Sequence, residues 1–397
     1  FHRRTTSARR IGAVGRTGLF MQMASLYADA RADERTRARR VLIERRLAQF
    51  RPPFRQRVAA LAARDARLED LVLSFPALLF ALAVPRFGRE RERGRALVIG
   101  GAPLRDAAVA ARVPLWLRRL KPRALQAPLP FLPGGPFVAR QVVNHIPRSP
   151  QRVCGWLDAI ARAAWTADDG VAVWMARVWE QRPPRIDTER GIALWAWYSR
   201  NVPDDPCRLG SAWCPSLSYC RALDHADEWR TNVSLYLKLG DEPLPDLWFR
   251  PGAVGAFDIA ALQTFDDVVG EAREMKNCVR WYGSELIEGV CRLWSIRRGG
   301  ERVATFEVSQ AHESPFAYIS QLKLVNDKPA PEGIWRIAQE WLRGQQRQHI
   351  GWRQENSIVP PAQVAAWRRM WRPYWLAKRC IPPWLPLTPT DAAIREL

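Results

Sequence analysis

Lysine is scarce in this chain: 55 of its 61 basic residues are arginine. A GC-rich genome produces the same bias, so no function is read from that ratio. Histidine is also scarce, with five in 397 residues. The seven cysteines form no dense framework, which excludes a small disulfide-stapled secreted scaffold and points to reduced thiols in a cytosol. No Cys-x2-4-Cys knuckle of a zinc finger occurs. Long apolar runs are missing as well. The longest, Leu71 to Val84, has 14 residues with Ser74 and Pro76 inside it, too short to span a bilayer. No Gly-rich phosphate loop, paired-carboxylate spacing or Ser/His/Asp signature stands out, so no cofactor is read. No signal peptide is read either, and the expected location is cytoplasmic. Residues 1–28, with Arg, Ser and Thr but no acid, also fit an organellar transit peptide.

Hydrophobic content of 47% and charged content of 25% are globular values. A chain of 397 residues should divide into two or three domains. The net charge of +21 is placed unevenly. Residues 1–150 hold 30 basic and 10 acidic residues, so nearly the whole excess lies there, whereas only Trp116 of the 19 tryptophans does. Such a surplus attracts polyanions by counterion release. With aromatics sparse there, contact with a phosphate backbone is favoured over base stacking. Nucleic acid, DNA in particular, is the expected partner, an acidic protein the alternative.

Periodicity predicts a mainly α protein with a small α+β module near the C-terminus, built as a helix, a three-stranded antiparallel meander and a helix. Residues 1–120 read as a basic helical region that starts with an irregular arm at 1–17. Pro76 should kink or break the helical run from Phe54 to Leu82. Residues 121–149, with Pro122, Pro128, Pro130, Pro133, Pro136 and Pro147, read as a Pro-rich linker or wrapping segment. Residues 150–254 form a Trp-rich helical region stopped once at Pro183–Pro184, with "VSLYLKL" as a short strand. Residues 255–350 hold the α+β module, and 351–397 a basic aromatic segment.

Within the module, Thr264-x-x-Asp267 marks a helix start, and a second helix runs from Met275 to Glu288, stopped by Gly289. Gly299–Gly300 makes a two-residue hairpin. That loop pairs Arg292 with Glu307, Trp294 with Thr305 and Ile296 with Val303. It leaves both faces of the hairpin mixed. It also sets Arg297 against Arg302, a like-charge pair that needs an acid or an anion nearby.

On the Met275–Glu288 helix, Cys278, Tyr282 and Glu285 share a face beside Trp281. A thiol nucleophile needs a base or cation; His225 and His312 are candidates only through folding, and a buried structural thiol is the alternative. The order "MKNCVRWYGSELIEG … LWSIRR … VATFEV … YISQLKLVNDKP" resembles the PcfJ-like family, named for a protein of conjugative plasmids. The motif positions are Cys278, Tyr282, Gly289, Arg297, Thr305, Glu307, Gln321 and Asn326, over roughly residues 255–335. The resemblance implies association with bacterial mobile elements and no established reaction. Many family members carry His before the cysteine where this chain has Asn277, which speaks against a Cys–His mechanism. A Gly also commonly precedes the motif Asn, where Val325 stands here. Two readings remain open for this segment. One is an enzyme pocket formed by Cys278, Tyr282, Glu307 and Gln321; the other is a partner-binding or scaffold module.

Cys207, Cys214, Cys220 and His225 are the remaining metal-type candidates, at spacings longer than zinc knuckles use. Trp367, Trp371 and Trp375 recur every four residues among arginines. They either dock a terminal helix or bind nucleic acid or a membrane surface.

Overall fold

The computed structural model describes residues 31, 33–84, 88–179, 185–310, 316–345 and 361–382. The arm at 1–17, the stretch 1–28, Pro183–Pro184 and His312 lie outside these. The chain divides into two compact units, Phe1–Ile186 and Asp187–Leu397.

The regular elements of unit 1 are all helices among its described residues. Helix α1 spans 33–47, followed by α2 (Pro52–Ala62), α3 (Ala66–Ser74), α4 (Pro76–Ala83), α5 (Gly88–Ile99) and α6 (Leu104–Ala110). Pro76 breaks the apolar run as expected, because it has no N–H to continue α3 and instead takes the first position of α4. α4 is buried on nearly all sides, with Phe80 stacked on Phe50 at 6.1 Å and edge-on to Phe54 at 5.4 Å. The Pro-rich stretch lies inside this unit and contains α7 (Pro136–Val142). It wraps the hairpin of α8 (Pro150–Thr166) and α9 (Asp169–Val178). Trp116 donates to Pro133 O at 3.1 Å and meets Trp156 edge-on, while Asp168 caps α9 by accepting from Gly170 and Val171 N–H.

Unit 2 contains α10 (Ile186–Asn201), α11 (Tyr219–Leu239), β1 (Gly252–Val254), β2 (Phe257–Ala261), α12 (Phe265–Met275), α13 (Gly283–Glu288), β3 (Cys291–Arg298), β4 (Glu301–Gln310), β5 (Ala317–Lys323), α14 (Glu332–Gly344) and α15 (Pro361–Lys378). Its antiparallel sheet has five strands in chain order, not three. The two additional strands, β1 and β2, are a hairpin turning at Gly255, which takes φ +60°. They are short and Gly/Ala-rich, and so carry little β signal. "VSLYLKL" is the end of α11 rather than a strand. Val233, Leu235, Tyr236, Leu237 and Leu239 are all buried, so their pattern has no period that separates strand from helix.

Two further expectations fail inside the module. The single helix from Met275 to Glu288 is interrupted. α12 stops where Lys276 enters the left-handed region (φ 50°, ψ 48°), a short 3-10 turn covers Val279–Trp281, and α13 starts at Gly283. The hairpin register also shifts. Arg297 does face Arg302, but beyond them Ile296 pairs with Ala304, Trp294 with Phe306 and Leu293 with Glu307. Val303 is the extra residue of a β-bulge.

The bulge sorts the faces. Trp294, Ile296, Ala304, Phe306 and Val308 join Ile259 and Leu322 in one apolar core, closed by Trp341 of α14, whose ring centroid lies 4.5 Å from that of Trp294. The other face carries Cys291, Ser295, Thr305, Glu307 and Ser309, and α12 and α13 pack over it.

α15 runs unbroken through Pro373. It is held on the unit's own helices. Tyr198 donates to Met370 O at 2.8 Å and meets Trp371 edge-on, and Trp367 and Trp371 are buried. The C-terminal tryptophans at these two positions therefore dock a helix. No described helix is long and apolar enough to cross a membrane.

Candidate functional site

The polar face of the sheet brings together three of the four residues singled out for a pocket. Tyr282, at the start of α13, donates to Glu307 Oε2 at 3.1 Å, and Gln321 Nε2 donates to the Tyr282 oxygen at 3.4 Å. Glu307 Oε1 accepts from Ser309 at 2.6 Å, and the Ser309 and Ser320 hydroxyls lie 3.1 Å apart.

A second β-bulge concentrates these groups. Glu307 pairs with Gln321 but Val308 pairs with Ile319, so Ser320 is an extra residue on β5. Bulges re-aim side chains in this way beside functional sites. Ser320 and Gln321 both engage the Glu307 side of the ladder, and both are exposed.

A second, more deeply buried row lies on the same face. Asn277 Nδ2 donates to Thr305 Oγ1 at 3.0 Å, and Thr305 donates to Glu271 Oε1 at 2.6 Å. Glu271 is wholly buried and is also bonded by Arg302 at 2.7 Å, while Arg302 pairs with Glu274 as well. Those two acids answer the Arg297–Arg302 juxtaposition.

Burial, then the charge of Glu307, pushes the Tyr282 phenol well above its usual value. Tyr282 is therefore a neutral donor at neutral pH. Burial, helped by Glu307 and Glu285, pushes the Cys291 thiol up to about 12, so that thiol is inert. Cys278 is exposed near Tyr282 but belongs to no part of the hydrogen-bonded row. Glu285 is exposed on α13. The arrangement can orient a polar group over β5 between a hydroxyl donor and a carboxylate acceptor.

Two other motif positions, Gly289 and Asn326, serve the backbone. Gly289 ends α13 at φ +72°, and Asn326 takes φ +60° after β5. Arg297 donates to Ser295 Oγ at 3.3 Å. Arg292, far from pairing with Glu307, donates to the carbonyls of Asp246, Leu286 and Cys291 and lies over Trp248.

Cys207, Cys214, Cys220 and His225 are not brought together. Cys207 is buried, Cys214 and Cys220 are exposed, and His225 stacks on Trp195. Among the described residues, no group of three His, Cys, Asp or Glu side chains is placed to hold a metal ion.

Glu271 was missed in the sequence, though a signal exists. It stands at a core position of an amphipathic helix, in step with Val268, Ala272 and Met275. Ser309 and Ser320 carry no comparable mark.

The second candidate surface is electrostatic. Unit 1 contains 35 basic and 14 acidic residues, a net of +21, and unit 2 contains 26 of each, a net of zero. The charge divides where the structure divides. Most arginines described between 31 and 150 are exposed. One concentration is a groove between α5 and α6 lined by Arg89, Arg93, Arg105 and Arg112, with Glu90 and Asp106 among them.

No family model matches the chain, and no solved structure does. A curated relative, the ribosomal protein L11 methyltransferase of Gloeobacter violaceus (strain ATCC 29082 / PCC 7421), is 26% identical over 139 residues. That alignment covers 30% of this chain, and the chain spans 42% of that enzyme's length.

Proposed function

We propose that this chain is a nucleic-acid-associated accessory protein of a bacterial mobile element, PcfJ-like in its second unit and cytoplasmic. Unit 1 holds the phosphate backbone, DNA in the first instance, and unit 2 supplies a recognition module. The observation that carries this reading is the charge partition. A net +21 on unit 1 against zero on unit 2 is what a polyanion-binding unit joined to a different module would carry. A GC-rich genome spreads arginine over a whole chain and does not stop at a unit boundary. The test is affinity of the full chain for a labelled DNA duplex across a salt series. The logarithm of the binding constant should fall steeply and linearly with the logarithm of salt; salt-independent binding, or none, sinks the reading.

A second reading rests on the Tyr282–Glu307–Gln321 convergence. An enzyme site here would use Glu307 as the proton acceptor and Tyr282 as the donor, with Cys278 at its rim. Glu307→Gln and Tyr282→Phe should then abolish biological activity while the protein remains folded and binds DNA as before. Full activity in both variants ends this reading.

A further inference from the structure

The α5/α6 groove is a built feature rather than a chance gathering of arginines. Gly94 lets the two helices approach so closely that a β-carbon there would lie 2.8 Å from the β-carbon of Ala111. Arg112 sits at the C-terminal end of α6 with φ +53°, where the Val113 N–H reaches back to Ala108 O and the Arg112 N–H to Val109 O. Its guanidinium is positioned by Glu90 at 3.2 Å and by the Phe131 ring at 5.3 Å. Arg89 and Arg93 stand one turn apart on α5, and Arg105 faces them from α6. All three are exposed, and among the described residues no carboxylate lies within ion-pair distance of any of them. Leu97, Val109 and Ala110 complete the lining, and it includes no aromatic side chain.

We infer that this groove is the phosphate track of unit 1, which grips consecutive phosphates of one nucleic-acid strand through Arg89, Arg93 and Arg105. The inference rests on the nucleic-acid reading above and narrows it to one place. Guanidinium forks match phosphate oxygens in charge and in geometry. Without an aromatic, the groove reads backbone and not bases. Glu90 and Asp106 work against an anion. Glu90 is already engaged by Arg112, so three arginines face one unengaged carboxylate.

The test uses the full chain and three labelled probes: a DNA duplex, a single strand of the same sequence, and polyglutamate. One variant carries Arg89→Ala, Arg93→Ala and Arg105→Ala. A control carries Arg45→Ala, Arg123→Ala and Arg140→Ala, which removes the same charge from exposed positions elsewhere on unit 1. The groove variant should bind duplex more than about tenfold more weakly, and its log–log salt slope should lose about 0.9 for each phosphate contact removed. The control should lose far less. Arg→Lys at the three groove positions should recover much of the affinity, which separates loss of charge from loss of fold. Equal losses in the groove variant and the control overturn the groove and leave the nucleic-acid reading standing. If the wild-type chain binds neither DNA probe, both fall. Groove-dependent binding of polyglutamate in preference to DNA overturns the groove as a phosphate track.

Discussion

Glu271 and Arg302 meet at 2.7 Å between α12 and β4, a wholly buried carboxylate against a guanidinium that also reaches Glu274. Burial pushes the Glu271 carboxyl up, and the bonds from Thr305, Ser295 and Arg302 only partly draw it back. The folded protein thus holds this proton to higher pH than the unfolded chain does. Its contribution to stability is complete below the ordinary glutamate value of about 4.3 and is lost as pH rises through the raised one. Melting temperature against pH for wild type and Glu271→Gln checks this. The wild type should lose ground to the variant across that window, and a wild-type advantage that grows with pH there contradicts it.

Tyr282 should be worth about 1–2 kcal/mol through its bond to Glu307, since a half-buried carboxylate that loses a donor is poorly compensated. Urea unfolding of Tyr282→Phe near neutral pH measures that cost. Because the phenol's folded value is raised, the advantage of the hydroxyl holds below the ordinary tyrosine value of about 10 and fades above it. A wild-type advantage that persists unchanged well above that pH contradicts the assigned bond.

Gly94→Leu should separate α5 from α6. The new side chain would start 2.8 Å from the Ala111 β-carbon and 3.2 Å from Ala107 O, where neither atom can swing away. The expected cost is about 1–3 kcal/mol, read as a lower urea midpoint. An unchanged midpoint shows that the helices are not in tight contact there.

Lys276→Gly should stabilise the protein. Lys276 is exposed and left-handed at the end of α12, a conformation that disfavours any residue with a β-carbon. After allowing for the extra freedom of glycine in the unfolded chain, the gain should be about 0.5–1 kcal/mol. A higher urea midpoint with an unchanged slope would confirm it; a lower one would mean that the lysine side chain contributes a contact.

Much of this architecture is legible in the sequence where one physical signal dominates. Pro76 had to end a helix, Thr264 and Asp267 form the expected capping box, and Gly299 and Gly300 turn the β3–β4 hairpin. The failures come from competing signals. Lys276 ends α12 without glycine, so nothing in its residue type marks a break. The Val303 bulge is invisible to a count from the hairpin loop, and one extra residue moved Trp294 from opposite Thr305 to opposite Phe306. The mixed faces of the unbulged pairing were the warning, since neither could have packed against a helix. The Arg297–Arg302 pair was a better guide, because it called for a nearby acid, and Glu271 and Glu274 supply it. Of the pocket residues, Tyr282, Glu307 and Gln321 converge, whereas the cysteine beside them does not join their bonds.

The extra residue at Ser320 has one more consequence. Among the described residues β5 is the last strand of the sheet, and an open strand edge is a template on which other chains can pair. A bulge in that strand spoils its even ladder of donors and acceptors and increases its twist. The same irregularity that sets Ser320 and Gln321 beside Glu307 thus makes β5 a poor surface for another strand to extend, and helps keep one copy of this sheet from growing onto the next.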